Sequence, residues 1–231
     1  MVPDEGLNTN GRNLMNFKRA FAPVALVGLL LSVAAPTAAP AVSPMRGAPQ
    51  VISGTGDSVP ALAPIDEPVI ITLTHDGTSN FIVKPIGKDG DEGMYWLNEI
   101  GPFNGTVFQE MDDIFAPYNK KNPIVAATVQ ADGNWTITIN KLSSAPAKGA
   151  KSGNGAGDQV FKFAKATKGF KRITLTHEGT SNFIVYPIDS KGKTGFYLTN
   201  EIGAYSGTVR LPSGTKYIWV RADGPWSYTI K

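Results

Sequence analysis

Two antiparallel β-sandwiches in tandem is the fold class this sequence predicts, and three observations predict it. The first is a repeat. Residues 71–86, ITLTHDGTSNFIVKPI, return at 173–188 as ITLTHEGTSNFIVYPI, with fourteen of sixteen positions identical at an offset of 102. One structural unit has been written twice, which sets two domains. The second is punctuation: 25 Gly and 17 Pro are scattered through 231 residues, so turns are frequent. The third is the set of short β-branched and apolar runs between those turns, about seven per unit with turn signals every ~6–12 residues. The expected fold is all-β: two sandwiches of jelly-roll or immunoglobulin-like type, joined by a flexible linker.

The chain opens with an address. Lys18 and Arg19 precede the apolar run 24–33, VALVGLLLSV, and Ala39-Pro40-Ala41 fits a small-residue cleavage site. This is a secretory signal, and the run is too short for a comfortable membrane span. Residues 1–41 are therefore expected to be a leader. The mature protein is expected to be secreted, with no membrane span after cleavage. Residues 42–53 are Pro-rich and read as a flexible N-terminus. Repeat 1 covers 54–140, a Gly/Ala/Lys-rich linker 141–154, and repeat 2 155–231.

Each repeat begins with G-x-G-D-x-V, at 54–59 and 155–160. An edge strand is expected there, because Pro60 and Pro64 cannot donate to a ladder. VIITLT, 69–74, is a strand. Asp76-Gly77 and Glu178-Gly179 follow it with hairpin-turn chemistry. The return strand FIVKPI, 81–86, does not alternate strictly and is expected to lie centrally. MYWLNEIG (94–101) matches FYLTNEIG (196–203), and NGTV (104–107) matches SGTV (206–209). Here the copies part. The first unit is eleven residues longer here, with MDDIFAPYNKKNP at 111–123 where the second has a tight turn at Pro212-Ser213-Gly214. Both close with A-D-G-x-W, around Asp132-Gly133 and Asp223-Gly224.

Composition excludes several chemistries. Cysteine is absent, which removes disulfides, thiol catalysis and Cys-ligated zinc. A net charge of +3 with no basic stripe in the sequence argues against a nucleic-acid partner. The two histidines, His75 and His177, occupy one repeat position, and a metal needs three or four converging ligands. They read as strand-end residues bonded to the turn. Trp135 and Trp226 read as core anchors. Asn98-Glu99 and Asn200-Glu201 read as caps on the following Gly turn. Glycosidic hydrolysis wants two carboxylates across the bond, and no nucleophile–base–orienter set is legible. No catalytic residue is assigned, and the protein is expected not to be an enzyme. Asp89, Asp91 and Glu92 in KDGDEG suggest a calcium loop. Repeat 2 keeps no carboxylate between 191 and 195, and a full calcium site needs more oxygen ligands. Calcium is thus the only candidate cofactor, with a solvated hairpin tip as the simpler reading.

The disagreements between copies carry more. Tyr217 and Trp219 share one face of KYIWV, where repeat 1 has Ala126 and Thr128, and Tyr186 replaces Lys84. Sugar rings stack on exposed aromatic faces, and protein interfaces bury them. Tyr186, Tyr217 and Trp219 form a candidate ligand or partner patch, with a covered sheet face or inter-domain contact as the alternative. Asp112, Asp113, Phe115 and Tyr118 of the insertion form a second candidate.

The G-x-G-D-x-V opening, T-H-(D/E)-G-T-S-N-F, N-E-I-G-x-(Phe/Tyr)-x-G-T-V and the closing A-D-G-x-W together resemble a repeat module of secreted actinobacterial proteins. The resemblance covers 54–140 and 155–231 and implies an exported β-sandwich without implying a reaction. The insertion departs from it. The function expected is non-catalytic binding of an envelope polysaccharide or a protein partner, outside the cell or at its surface. A structural or self-assembling extracellular protein is the alternative, and a hydrolase comes third. The oligomeric state is not legible.

Overall fold

The computed structural model describes residues 48–113 and 117–231. The expected leader, residues 42–47 and Phe115 lie outside these. Repeat 1 contains β1 (Gln50–Thr55), β2 (Ala61–Ile65), β3 (Val69–His75), β4 (Asn80–Gly87), β5 (Leu97–Ile100), β6 (Phe103–Gln109), β7 (Ile124–Gln130) and β8 (Asn134–Lys141). Repeat 2 contains β9 (Ser152–Ala156), β10 (Gln159–Lys162), β11 (Lys171–His177), β12 (Asn182–Asp189), β13 (Thr199–Ile202), β14 (Tyr205–Leu211), β15 (Thr215–Ala222) and β16 (Pro225–Ile230). Repeat 1 builds two four-stranded sheets, ordered β1-β8-β3-β6 and β2-β7-β4-β5, and repeat 2 builds β9-β16-β11-β14 and β10-β15-β12-β13. All strand pairs are antiparallel. Eight strands in this interleaved order make a jelly roll, one strand more per unit than the sequence suggested. As expected, β2 is an edge strand and β4 a central one.

Each sandwich has its own core. In repeat 1, Val69, Ile71 and Leu73 of β3 alternate inward and meet Phe81 and Val83 of β4 and Ile137 and Ile139 of β8. In repeat 2 Ile173, Leu175, Phe183, Val185 and Ile218 do the same, with a layer of Phe161, Phe163, Trp226 and Tyr228.

The motifs shared by both copies are packing devices. Trp135 is buried, and its Nε1 donates to the Gly56 carbonyl at 2.9 Å. Trp226 repeats this with Gly157 at 3.0 Å. Gly54 and Gly155 lie flat beneath these indoles, and a Cβ at either would run into the ring. Gly56 and Gly157 adopt φ of 67° and 66°, open to glycine at no steric cost. Asp57 and Asp158 accept the backbone N–H of Ala131 and Ala222 at 2.9 and 2.7 Å. The opening G-x-G-D thus clamps the closing A-D-G-x-W.

The acid-Gly pairs are not hairpin turns. β3 and β4 belong to different sheets, as do β7 and β8, so both connections cross the sandwich. The two crossovers press together. Asp76 accepts the N–H and side-chain amide of Asn134 at 2.7 and 2.9 Å. Asp132 accepts the N–H groups of Thr78 and Ser79, both at 3.0 Å. Gly77 and Gly133 are glycines because the opposite turn occupies the space of a Cβ.

The repeats are in fixed contact. The outer face of β3 and β6 lies on the outer face of β10, β12 and β15, burying Ile70, Phe108, Val160, Ile188 and Tyr217 together with Leu142 and Ala145. Thr106 donates its N–H to the Asp158 carbonyl at 3.0 Å. The stretch expected to be a flexible linker supplies part of this contact. Leu142–Ser144 form a 3-10 turn with Leu142 buried, and β9 begins at Ser152. Likewise β1 begins at Gln50, inside the stretch read as a flexible N-terminus.

Tyr217 and Trp219 therefore face repeat 1, while Ile218 and Val220 fill the core of repeat 2. The copy differences match the contact from both sides. Val160 is 1% exposed in the contact, and its counterpart Val59, on the free face of repeat 1, is 64% exposed. On that free face Lys84, Ala126 and Thr128 stand where Tyr186, Tyr217 and Trp219 stand in repeat 2. At the opposite end, exposed Arg172 and Arg210 stand where Ile70 and Phe108 would receive a neighbour. Polar residues thus cap both ends of the pair, as terminal repeats do in stacked arrays.

Candidate functional site: an aromatic cleft between the repeats

Beside the buried contact the two repeats leave a cleft of about 340 Å³, within the range of small-ligand sites. Its repeat 1 wall is Trp96, Phe108 and Tyr118, and its repeat 2 wall is Tyr186 and Trp219. Three elements position these rings. Trp96 precedes the edge strand β5 and is pinned by Nε1 donating to Gln109 Oε1 at 2.5 Å. Tyr186 of β12 pairs across the ladder with Trp219 of β15 and stacks on it, centroids 5.0 Å apart. Trp219 in turn meets Phe108 in a T-shaped contact, centroids 6.3 Å apart, and carries Arg221 over its ring at 5.9 Å. Tyr118 comes from the insertion. Its hydroxyl donates to the Pro85 carbonyl at 3.3 Å, and burial pushes its pKa up to about 12, so it stays a donor.

The insertion closes one end of the cleft. Lys193 of repeat 2 reaches into it and donates to the carbonyls of Met111 and Asp112, both at 2.8 Å. Asp112 has φ of 56°, the left-handed conformation that its short side chain tolerates, and its N–H donates to the Tyr118 carbonyl at 2.9 Å. Glu110 accepts both the N–H and the hydroxyl of Thr194 and faces Lys193 at 3.4 Å. Glu110, Asp113 and Thr194 line the floor, and Met94 and Tyr95 stand exposed at the mouth. One polar atom in the wall is unanswered: the buried indole Nε1 of Trp219 has no hydrogen-bond partner among the described residues. A buried donor without an acceptor costs stability, of order 1–3 kcal/mol.

The structure thus brings together Tyr186 and Trp219 of the predicted patch with Asp113 and Tyr118 of the predicted insertion site. Tyr217 is not in the cleft: it is 7% exposed, under repeat 1. Asp112 serves the insertion's own backbone. The acidic loop is not gathered for a metal. Asp89 accepts Asp91 N–H at 3.1 Å and Asn122 Nδ2 at 2.7 Å, while Glu92 pairs with Lys84 at 3.1 Å. Among the described residues no three His, Asp or Glu side chains converge on a metal position. The histidines are structural. His75 Nδ1 donates to the Gly101 carbonyl at 3.0 Å, its ring stacks on Phe81 at 4.5 Å, and Nε2 faces Asp132 at 3.3 Å. His177 repeats the arrangement with Gly203, Phe183 and Asp223. Asn98, Glu99, Asn200 and Glu201 are all exposed on the edge strands β5 and β13.

Sequence reasoning missed Tyr95, Trp96, Phe108, Glu110 and Thr194. The signal was present for three of them, since Trp96, Phe108 and Glu110 stand opposite Leu198, Arg210 and Pro212 in the other copy.

No helix among the described residues is long and apolar enough to cross a membrane. No family model matches this sequence, and no curated protein matches it. Among solved structures, it is similar to the regulatory subunit of a cAMP-independent protein kinase A from Trypanosoma cruzi bound to guanosine, at 10% identity over 79% of this chain and 72% of that one. The TM-score is 0.20, and the likeness carries no argument.

Proposed function

We propose that this is a secreted, non-catalytic binding protein that holds a short run of sugar units of an envelope polysaccharide in the cleft between its repeats. The observation that carries the reading is the cleft's make-up: aromatic rings on both walls, the unanswered Trp219 Nε1, and carboxylates and a hydroxyl on the floor. A pyranose offers an apolar C–H face to such rings and hydroxyls to such polar groups. The leader-like N-terminus and the resemblance to exported modules support secretion. The binding reading is favoured over hydrolysis because Glu110 is engaged by Thr194 and Lys193 instead of standing as an unengaged acid or base.

Trp96 and Trp219 line the cleft, so their emission reports occupancy directly. Titration with oligosaccharides released from purified envelope fractions is expected to give a saturable emission change and retention of the protein on the parent polymer. Tyr95→Ala removes a half-exposed ring at the mouth without touching either core. It is expected to weaken binding about tenfold, the worth of one stacking contact of roughly 1.4 kcal/mol. Absence of both retention and spectral change across the envelope glycans would sink the proposal.

A further inference from the structure

The free end of repeat 2 carries a feature that neither the fold nor the cleft uses. Lys151, Lys165, Lys168, Lys171 and Lys231 surround a shallow trough floored by Phe163 and Ile230, and no carboxylate side chain lines it. Arg172 and Arg210 extend the patch, standing opposite each other across β11 and β14. All seven cations are exposed, and none makes an ion pair with a carboxylate side chain among the described residues. In the sequence these charges look dispersed, with Asp158 the only acidic residue from 133 to 177. Folding collects them. At the end of the loop between β10 and β11, flanked by Lys168 and Lys171, Phe170 is 70% exposed.

The other end of the molecule is the internal control. A polar cap needs no particular sign of charge, and the free face of repeat 1 shows a neutral one: Lys84 paired with Glu92, beside Thr128 and Gln130. The loop of repeat 1 that corresponds to the Phe170 loop is acidic, with Asp66 and Glu67, and its Pro68 packs on Gly192 in the inter-repeat contact. Seven like charges without partners repel one another, and an exposed aromatic flanked in the chain by two of them, Lys168 and Lys171, opposes solubility. Capping explains neither. A surface that is negatively charged and has an apolar layer beneath its charges answers both, since aromatic rings settle at the headgroup level while lysines meet anionic lipids.

We propose that the free end of repeat 2 docks on an anionic lipid bilayer, with Phe170 entering the interface and the surrounding Lys and Arg side chains meeting the headgroups. A soluble polyanion shares the charge chemistry but gives Phe170 no apolar phase to enter, so the two sources separate experimentally.

The chain from Val42 contains both complete cores and all sixteen strands, and is the form to test. Co-sedimentation is measured with vesicles of phosphatidylcholine alone and with about one-third phosphatidylglycerol. Binding is expected only to the anionic vesicles and is expected to be lost at high salt. Phe170→Ser, at an exposed loop position, is expected to weaken it about tenfold. Lys165→Ser/Lys168→Ser/Lys171→Ser is expected to weaken it on the order of a hundredfold. Equal binding to both vesicle types, none to either, or an unchanged affinity for Phe170→Ser overturns the proposal. Tight binding to polyphosphate or single-stranded DNA that ignores Phe170, without vesicle binding, overturns it in favour of a polymer site. Oligosaccharide titration of the same variants is expected to be unchanged, which keeps this site distinct from the cleft.

Discussion

Phe108 offers a direct test of the contact between repeats, because its counterpart Arg210 shows what the same strand position tolerates when nothing covers it. Phe108 is 6% exposed, packed among Ile70, Leu142 and Tyr217 and in a T-shaped contact with Trp219. In Phe108→Arg the sandwich itself keeps its β6 ladder, since Arg210 occupies the same position in β14. What is lost is the docking of repeat 1 on repeat 2. Truncating a buried Phe costs roughly 3–5 kcal/mol, and a guanidinium cannot be desolvated there without a partner. For a cooperative unit of this size each kcal/mol is worth about 2–4 °C, so the joint midpoint falls by roughly 10 °C or more. Once the coupling is gone, the two sandwiches melt separately. Calorimetry should therefore resolve one transition in the parent and two in the variant. Tryptophan emission should move to the red as Trp219 and Trp96 lose cover, and oligosaccharide binding should vanish. A single transition at an unchanged midpoint would show that the repeats are not energetically coupled and that the cleft has no fixed walls.

Two further outcomes follow from other sites. Burial raises the pKa of Asp158 to about 6, from the 3.8 of a free carboxyl. A raised folded pKa means the native state holds the proton longer than the unfolded chain, so stability falls as pH rises from about 4 to 6 and stays lower above. Asp158→Asn keeps an oxygen for the Ala222 N–H and removes the charge. It should raise stability at pH 7 by up to about 3 kcal/mol, seen as a higher melting midpoint, and flatten the pH 4–6 slope, whereas a lower midpoint at pH 7 would contradict the burial argument. Gly54→Ala drives a methyl into the Trp135 ring; a loss of roughly 1–3 kcal/mol is expected in urea melts, and a neutral result would mean that the indole can retreat.

The architecture was legible because the evidence for it is local and duplicated. Alternation in β3 and β8, Gly-rich turns and a 102-residue offset are all visible without coordinates. The strand most thoroughly hidden was β9, SGNGA, which has no large apolar residue and looks like linker. Its glycines are there because aromatic rings lie on them: a Cβ at Gly153 would strike Tyr228, and one at Gly155 would strike Trp226. Low hydrophobicity in that strand records a partner's bulk, which no window over the strand itself can detect. The crossovers were misread as hairpins for a related reason. Acid-Gly chemistry suits a tight turn, and nothing in Asp76-Gly77 says that a second turn 55 residues on, at Asp132, accepts the N–H groups of Thr78 and Ser79. For the site, comparing copies picked out Tyr186, Trp219 and the insertion, and overvalued Tyr217. A sequence difference shows that a surface has a special role without showing whether a ligand or the neighbouring repeat occupies it. The basic patch escaped because Lys151 and Lys231 are 80 residues apart in the chain and line one trough in the fold.

The contact between the repeats joins two unlike surfaces, the β3–β6 face of one unit and the β10–β12–β15 face of the next. A contact of that kind does not pair off two units, so identical units would go on adding head to tail, into a ring or a fibre. Here growth has a defined terminus at each side. Arginines occupy the positions that would offer Ile70 and Phe108 again, and Lys84, Ala126 and Thr128 remove the aromatic seat that would receive them. The divergence of the two copies therefore keeps either free face from offering the same contact a second time, and an element suited to open-ended stacking is held to a single pairing here.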